Sequence, residues 1–188
     1  MTTPRIEKIG LVAHFSPQGD WAFEAALAMA RRREAVLNIF SFLESPYEAP
    51  LDVAPADRPV RRYDERTLIA RDRELREYYD DRLGDFVEAG FRVCESGRYN
   101  LELRLCLKRK EFQVLLIPYL ECAVPFGNMP IEEFAWRFNA PVILVGPDHP
   151  DQFHFNPPAE VLVGSSEAAS SEWSSIQAPT RFQTLPVI

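Results

Sequence analysis

Alternating strand-like and helix-like segments predict an α/β fold, a three-layer sandwich built on five parallel strands. Three observations predict it. Residues 112–145 read strand, loop, helix, strand. In that stretch Gln113-Val-Leu-Leu-Ile117 and Pro141-Val-Ile-Leu-Val145 are short apolar runs, and Ile131, Phe134, Ala135 and Phe138 fall at i, i+3, i+4 and i+7, one face of a helix. Two such strands joined through a helix give a right-handed crossover in a parallel sheet. The first apolar run, Ile9, Leu11, Val12 and Ala13, is almost unbroken, as a strand covered on both faces requires. Finally, 188 residues with a hydrophobic fraction of 46% can bury a substantial core.

The elements follow in order. Ile6 to Phe15 is the first strand, and His14-Phe-Ser-Pro-Gln-Gly19 is the turn after it. Asp20 is the expected N-cap of a helix from Trp21 to Arg33, with Glu24 as its helping acid. The small stripe Ala22, Ala25, Ala26, Met29 and Ala30 lets this helix approach the sheet, and Arg31, Arg32 and Arg33 offset the dipole at its end. Ala35 to Leu43 is the second strand. Pro46, Pro50, Pro55 and Pro59 then mark a mobile or wrapping loop from Glu44 to Asp64. A long helix is expected from Arg62 or Asp64 to about Ala89, with Leu68, Leu75, Tyr79, Leu83 and Phe86 inward and Gly90 as its stop. Its interleaved charges read as a solvated face. Phe91 to Glu95 is the third strand, and Asn100 caps a short helix from Leu101 to Lys110. Trp136 and Arg137 flank the inner face of the last helix, where Trp136 is expected to meet the sheet edge.

The domain is expected to span residues 1–146. Residues 147–188 hold six of the sixteen prolines and a serine-rich block, and read as an extension. It is either a flexible tail or a segment that lays Val161 to Val163 on a sheet edge of its own or a partner subunit.

Charge and cysteine usage narrow the classes. A formal net charge of −7 disfavours nucleic acid and anionic membranes, whose phosphates would be repelled. Cys94, Cys106 and Cys122 have no CxxC spacing and are odd in number, which fits a reducing compartment; Cys94 and Cys106 read as packing residues. With no leader sequence and no apolar run near the ~20 residues of a membrane span, the expected location is cytoplasmic. His149 and His154, with Asp148 and Asp151, have a spacing that invites a metal but no element to fix it.

With the elements in order, residues 6–145 resemble the universal stress protein family. The resemblance is carried by Ile6-Glu-Lys-Ile-Gly-Leu-Val-Ala13, a turn with Ser16, the alanine-rich helix, Ala35-Val-Leu-Asn-Ile-Phe40, and the helix and Pro-Val strand of Phe134 to Val145. It implies a Rossmann-like five-stranded parallel sheet of order 3-2-1-4-5 and a homodimer through the fifth strand, to which the C-terminal tail would add. Family members that bind ATP resemble one another in a loop Gly-x2-Gly-x9-Gly-Ser/Thr after the fourth strand. Here that region is Ile117-Pro-Tyr-Leu-Glu-Cys-Ala-Val-Pro-Phe-Gly-Asn-Met-Pro130. Its first two glycines are absent, only Gly127-Asn128 resembles the final pair, and His14 replaces the acid after the first strand. Prolines remove donors and freedom from a phosphate loop, so the resemblance implies a member that has lost the usual ATP loop.

In that order the first and fourth strands meet at the switch point, where such folds bind ligands. His14, Ser16, Glu121 and Cys122 would converge there, with Phe42 and Tyr119 as walls. Three functions stay open. The leading expectation is a dimeric regulatory or interaction module, not an enzyme, with no cofactor and with possible protein partners. The second is a binder of ATP, another adenine nucleotide or a small metabolite in a pocket of His14, Ser16, Phe42, Gly127 and Asn128. The third is an enzyme pairing His14 with Cys122.

Overall fold

A computed structural model of the chain describes residues 5–48, 63–95 and 99–156. In chain order the elements are β1 (Lys8–Val12), α1 (Pro17–Arg33), β2 (Val36–Phe42), α2 (Glu65–Leu83), β3 (Ala89–Cys94), α3 (Tyr99–Lys108), β4 (Val114–Pro118), β5 (Pro125–Phe126), β6 (Met129–Pro130), α4 (Ile131–Arg137), β7 (Val142–Val145) and β8 (Phe153–Asn156). A 3-10 turn at Pro46–Glu48 follows β2.

The main sheet has the order β3-β2-β1-β4-β7-β8. Its first five strands are parallel and keep the expected order, with β7 in the fifth place. A sixth strand, β8, is added antiparallel to β7, with Val145 opposite Phe153 and Val142 opposite Asn156. This strand comes from the segment read as an extension; Val161–Val163 lie outside the described residues, as do Pro50, Pro55 and Pro59.

The apolar runs are continuous because each strand feeds two cores. Ile9, Leu11, Leu37, Ile39, Val114, Leu116, Ile143 and Val145 point to the side of α1 and α2. Val12, Phe40, Phe42, Leu115, Ile117, Val142 and Leu144 point to the side of α3, α4 and the β5–β6 hairpin. This period-two sorting gives a sheet covered on both faces.

Four sequence expectations need correction. The N-cap of α1 is Ser16, not Asp20: its Oγ accepts from the Gly19 N–H at 3.1 Å, and Pro17 begins the helix, a position that lacks a helical partner for N–H anyway. Asp20 instead accepts from the Tyr78 hydroxyl at 2.7 Å and pairs with Arg82. The stop of α2 is Gly84 at φ 60°, while Gly90 lies inside β3, paired with Asn38 of β2. Phe86 therefore follows the helix, although it still packs on the core. Asn100 lies within α3, its Oδ1 accepting from Arg104 Nε, and the helix ends at Lys108, with Lys110 at φ 58°. Trp136 does not cover the sheet edge but is 67% exposed on α4. The charges of α2 do form a solvated face, with Arg71–Glu74, Arg73–Glu77 and Arg76–Asp72 paired one turn apart.

Candidate functional site

The carboxyl ends of β1 and β4 are neighbours, so the switch point lies where the sequence places it. His14 leaves β1 there, half-buried. Its Nδ1 lies 2.8 Å from Ser16 Oγ and its ring meets the Tyr47 ring edge-on at 4.7 Å. Burial holds the His14 pKa below its ordinary value, with the nearby Glu48 charge acting the other way. Gly19 brings the first turn of α1 against this corner, since a Cβ there would fall 1.7 Å from the His14 carbonyl oxygen.

Tyr47 closes the crevice. The 3-10 turn carries its side chain over the end of β4, where its hydroxyl donates to the Pro118 carbonyl at 2.7 Å. Its ring lies between His14 and Phe126, with centroids 4.7 and 5.3 Å away. Only 6% of Tyr47 is exposed, and burial raises its phenol well above the ordinary range. Phe42 packs edge-on against Tyr99 at 5.1 Å in the same core.

The segment after β4 folds as a hairpin. Pro125 pairs with Pro130 and Phe126 with Met129, leaving Gly127 and Asn128 as a two-residue turn. Gly127 has φ 73°, the left-handed value such turns demand. It is buried, donates its N–H to the Pro46 carbonyl at 2.8 Å, and faces Tyr99. The pair that resembles a phosphate-loop ending is thus packed onto the turn carrying Tyr47. At the start of α4, Glu132 Oε1 accepts from the Ala123 N–H at 2.9 Å and from the Tyr119 hydroxyl at 2.5 Å. A carboxylate of the chain itself occupies the anion-favouring end of this helix. Burial, then the bond to Glu132, raises the Tyr119 phenol.

The five pocket residues of the sequence reading therefore divide into two groups. His14 meets both Ser16 and Tyr47. Gly127, Asn128 and Phe42 belong to the packing around Tyr99 and the hairpin. Cys122 is exposed, and its hydrogen bond is to Tyr119, while the contacts of His14 go to Ser16 and Tyr47. His149 lies 3.6 Å from Asp151 in the turn before β8, and His154 packs edge-on against Tyr119 at 5.1 Å. Among the described residues no three His, Cys, Asp or Glu side chains gather as a metal site, and no helix is long and apolar enough to cross a membrane.

Tyr47 and Glu132 are the residues that sequence reasoning missed. The signal for the first was local: Ser45-Pro46 followed by an acid is a helical-turn start. The signal for the second was an acid in the first turn of a helix.

No family model matches the chain, and no curated protein matches it. Solved structures do resemble it. One is a protein from the universal stress protein family from Burkholderia pseudomallei, with a TM-score of 0.48 and 18% identity over 73% of this chain and 95% of that one. Another is a universal stress protein in complex with cAMP, with a TM-score of 0.46 and 15% identity over 77% of this chain and 100% of that one. A third is a macrolide-efflux protein from Streptococcus pneumoniae, with a TM-score of 0.44 and 18% identity; the match covers 79% of this chain and 55% of that one.

Proposed function

We propose that this chain is a universal-stress-protein-like domain that acts as a regulatory or interaction module and does not bind ATP by a glycine-rich loop. One observation carries the reading. The Tyr47 ring fills the switch point between His14 and Phe126, with its hydroxyl bound to Pro118. Two further features support it. The Ala123 N–H is taken by Glu132, whose charge would repel phosphate, and Gly127 is bound to Pro46. On this reading the domain works as a homodimer through the β7 end of its sheet, where β8 presents the edge, with the C-terminal tail adding to the interface. The exposed Trp136 on α4 is suited to partner contact.

The test is thermal unfolding with ATP, ADP, AMP and cAMP, each with and without magnesium. A ligand at 100 times its dissociation constant adds about 2.7 kcal/mol, enough to raise the midpoint clearly. The proposal expects no shift at millimolar nucleotide. A saturable shift favours the rival reading, a nucleotide or metabolite pocket around His14 and Ser16. Light scattering during gel filtration tests the dimer, and a monomer mass at all concentrations removes that part.

A further inference from the structure

The outermost strand, β8, carries a histidine turned inward. Phe153 and Phe155 pack on the core on the side of α1 and α2, so the residue between them faces the other side of the sheet. There His154 lies opposite Leu144 of β7, with its ring edge-on to Tyr119 at 5.1 Å and its Nε2 shut off from solvent. An apolar side chain would fill this place without adding a titratable group. The strand that carries it is short, Phe153–Asn156, and among the described residues it pairs with β7 alone. The turn before it is closed by the Gly146 N–H, which donates to the Gln152 carbonyl at 2.9 Å. We propose that β8 is an acid-released strap: protonation of His154 lifts the strand from β7 and opens the apolar β7 edge, Val142–Val145, to solvent and to partners.

A charged ring in the docked strand gives up its hydration, and the released strand restores it. Burial accordingly holds the His154 pKa below 6.5, while the Gly146 backbone and then the Glu132 charge favour the charged ring. The titratable groups that face it are Tyr119 after β4 and, at 2.5 Å from the Tyr119 hydroxyl, Glu132 of α4. β7 and β8 carry no other titratable side chain. In the turn between them His149 lies 3.6 Å from Asp151, so its own protonation strengthens that exposed pair and does not lift the strand. The released ring takes the proton more readily than the docked one. Docking is therefore fully favoured above pH 6.5 and weakens as pH falls from there toward the docked value. An edge strand of four residues can open by itself while the rest of the sheet stays folded. Acid thus changes the strand at this sheet edge from β8 to β7. The consequence for assembly rests on the dimer reading above; the release itself does not.

The test is hydrogen exchange of the full chain at pH 7.5, 6.5 and 5.5, read by mass spectrometry and corrected for the intrinsic pH dependence of exchange. Protection of Val142–Val145 should fall with pH, by up to about tenfold per pH unit, the limit for one proton. Protection of β1 should hold. A dimer that comes apart at β8 leaves β7 covered, so exchange at β7 separates release from dissociation. In His154→Gln the protection of β7 should stay level down to pH 5.5, and His149→Gln should keep the wild-type loss. His154→Leu fills the same place with an apolar side chain, should also stay level, and guards against lost packing in His154→Gln. Unchanged β7 protection in the wild type down to pH 5.5, or the wild-type loss in both His154 variants, would overturn the proposal.

Discussion

The Tyr47 hydroxyl donates to the Pro118 carbonyl oxygen at 2.7 Å, across 71 residues of chain. This bond joins the turn after β2 to the last residue of β4. It puts an aromatic ring where a doubly wound fold leaves its crevice. The carbonyl it satisfies is buried, so the bond is costly to remove.

Replacing Tyr47 by Phe keeps the ring and deletes the donor. The Pro118 carbonyl is then buried without that partner, and stability should fall by about 1–3 kcal/mol. Tyr47→Ala should cost about 3–5 kcal/mol, because a cavity replaces the ring. Urea unfolding with an unchanged slope checks both values.

Gly127→Ala tests the hairpin. A side chain at φ 73° is strained, and its Cβ would come within 3.2 Å of Tyr99. A loss of about 1–2 kcal/mol is expected, with Gly127→Asn milder because asparagine tolerates this conformation. Chemical unfolding of the two variants should give that order. An unchanged stability in Gly127→Ala would contradict the strain assigned to this turn.

Glu132→Ala removes the acceptor for two donors, Tyr119 and Ala123. Charged acceptors are worth more than neutral ones, and the expected cost is about 2–3 kcal/mol. The same change should let one tyrosine ionise at lower pH, because Glu132 helps to hold the Tyr119 phenol up. Ultraviolet titration reads that shift directly.

His14 and His154 make stability depend on pH in a defined direction. Burial lowers the pKa of each from 6.5; Glu48 opposes this at His14, as do the Gly146 backbone and then Glu132 at His154. A lowered folded pKa means that the unfolded chain takes the proton first on acidification. Their contribution is therefore present above pH 6.5 and is lost as pH falls from there toward the folded values. Unfolding midpoints should drop between pH 7.5 and pH 5.5. A His14→Gln, His154→Gln variant should show a flatter profile over that window. An equal slope in wild type and variant would assign the dependence to other groups.

Much of the fold was legible because the sheet is covered twice. Ile9, Leu11, Leu116 and Val145 serve one core while Val12, Leu115 and Leu144 serve the other, and only unbroken apolar runs do both. α4 was legible from Ile131, Phe134, Ala135 and Phe138, all buried. The failures were those of distance. Asp20 has the chemistry of a cap, but Arg82 and Tyr78 claim it from α2. β8 has little strand signal of its own, and its partner β7 gives it one. The resemblance pointed to a loop after β4 that lacks the first two glycines of the ATP-binding pattern. It could not reveal that Tyr47 fills the space, because a ring between proline-rich neighbours takes its place only through contacts with His14, Pro118 and Phe126.

A residue-resolved nuclear magnetic resonance titration with magnesium ATP tests the central claim most directly. The backbone amides of Gly19, Ala123 and Gly127 report the first turn of α1, the start of α4 and the hairpin. The account predicts that all three stay in place up to millimolar nucleotide. Saturable shifts at these three amides together would contradict it, because Tyr47 and Glu132 would then have to yield the switch point to a phosphate.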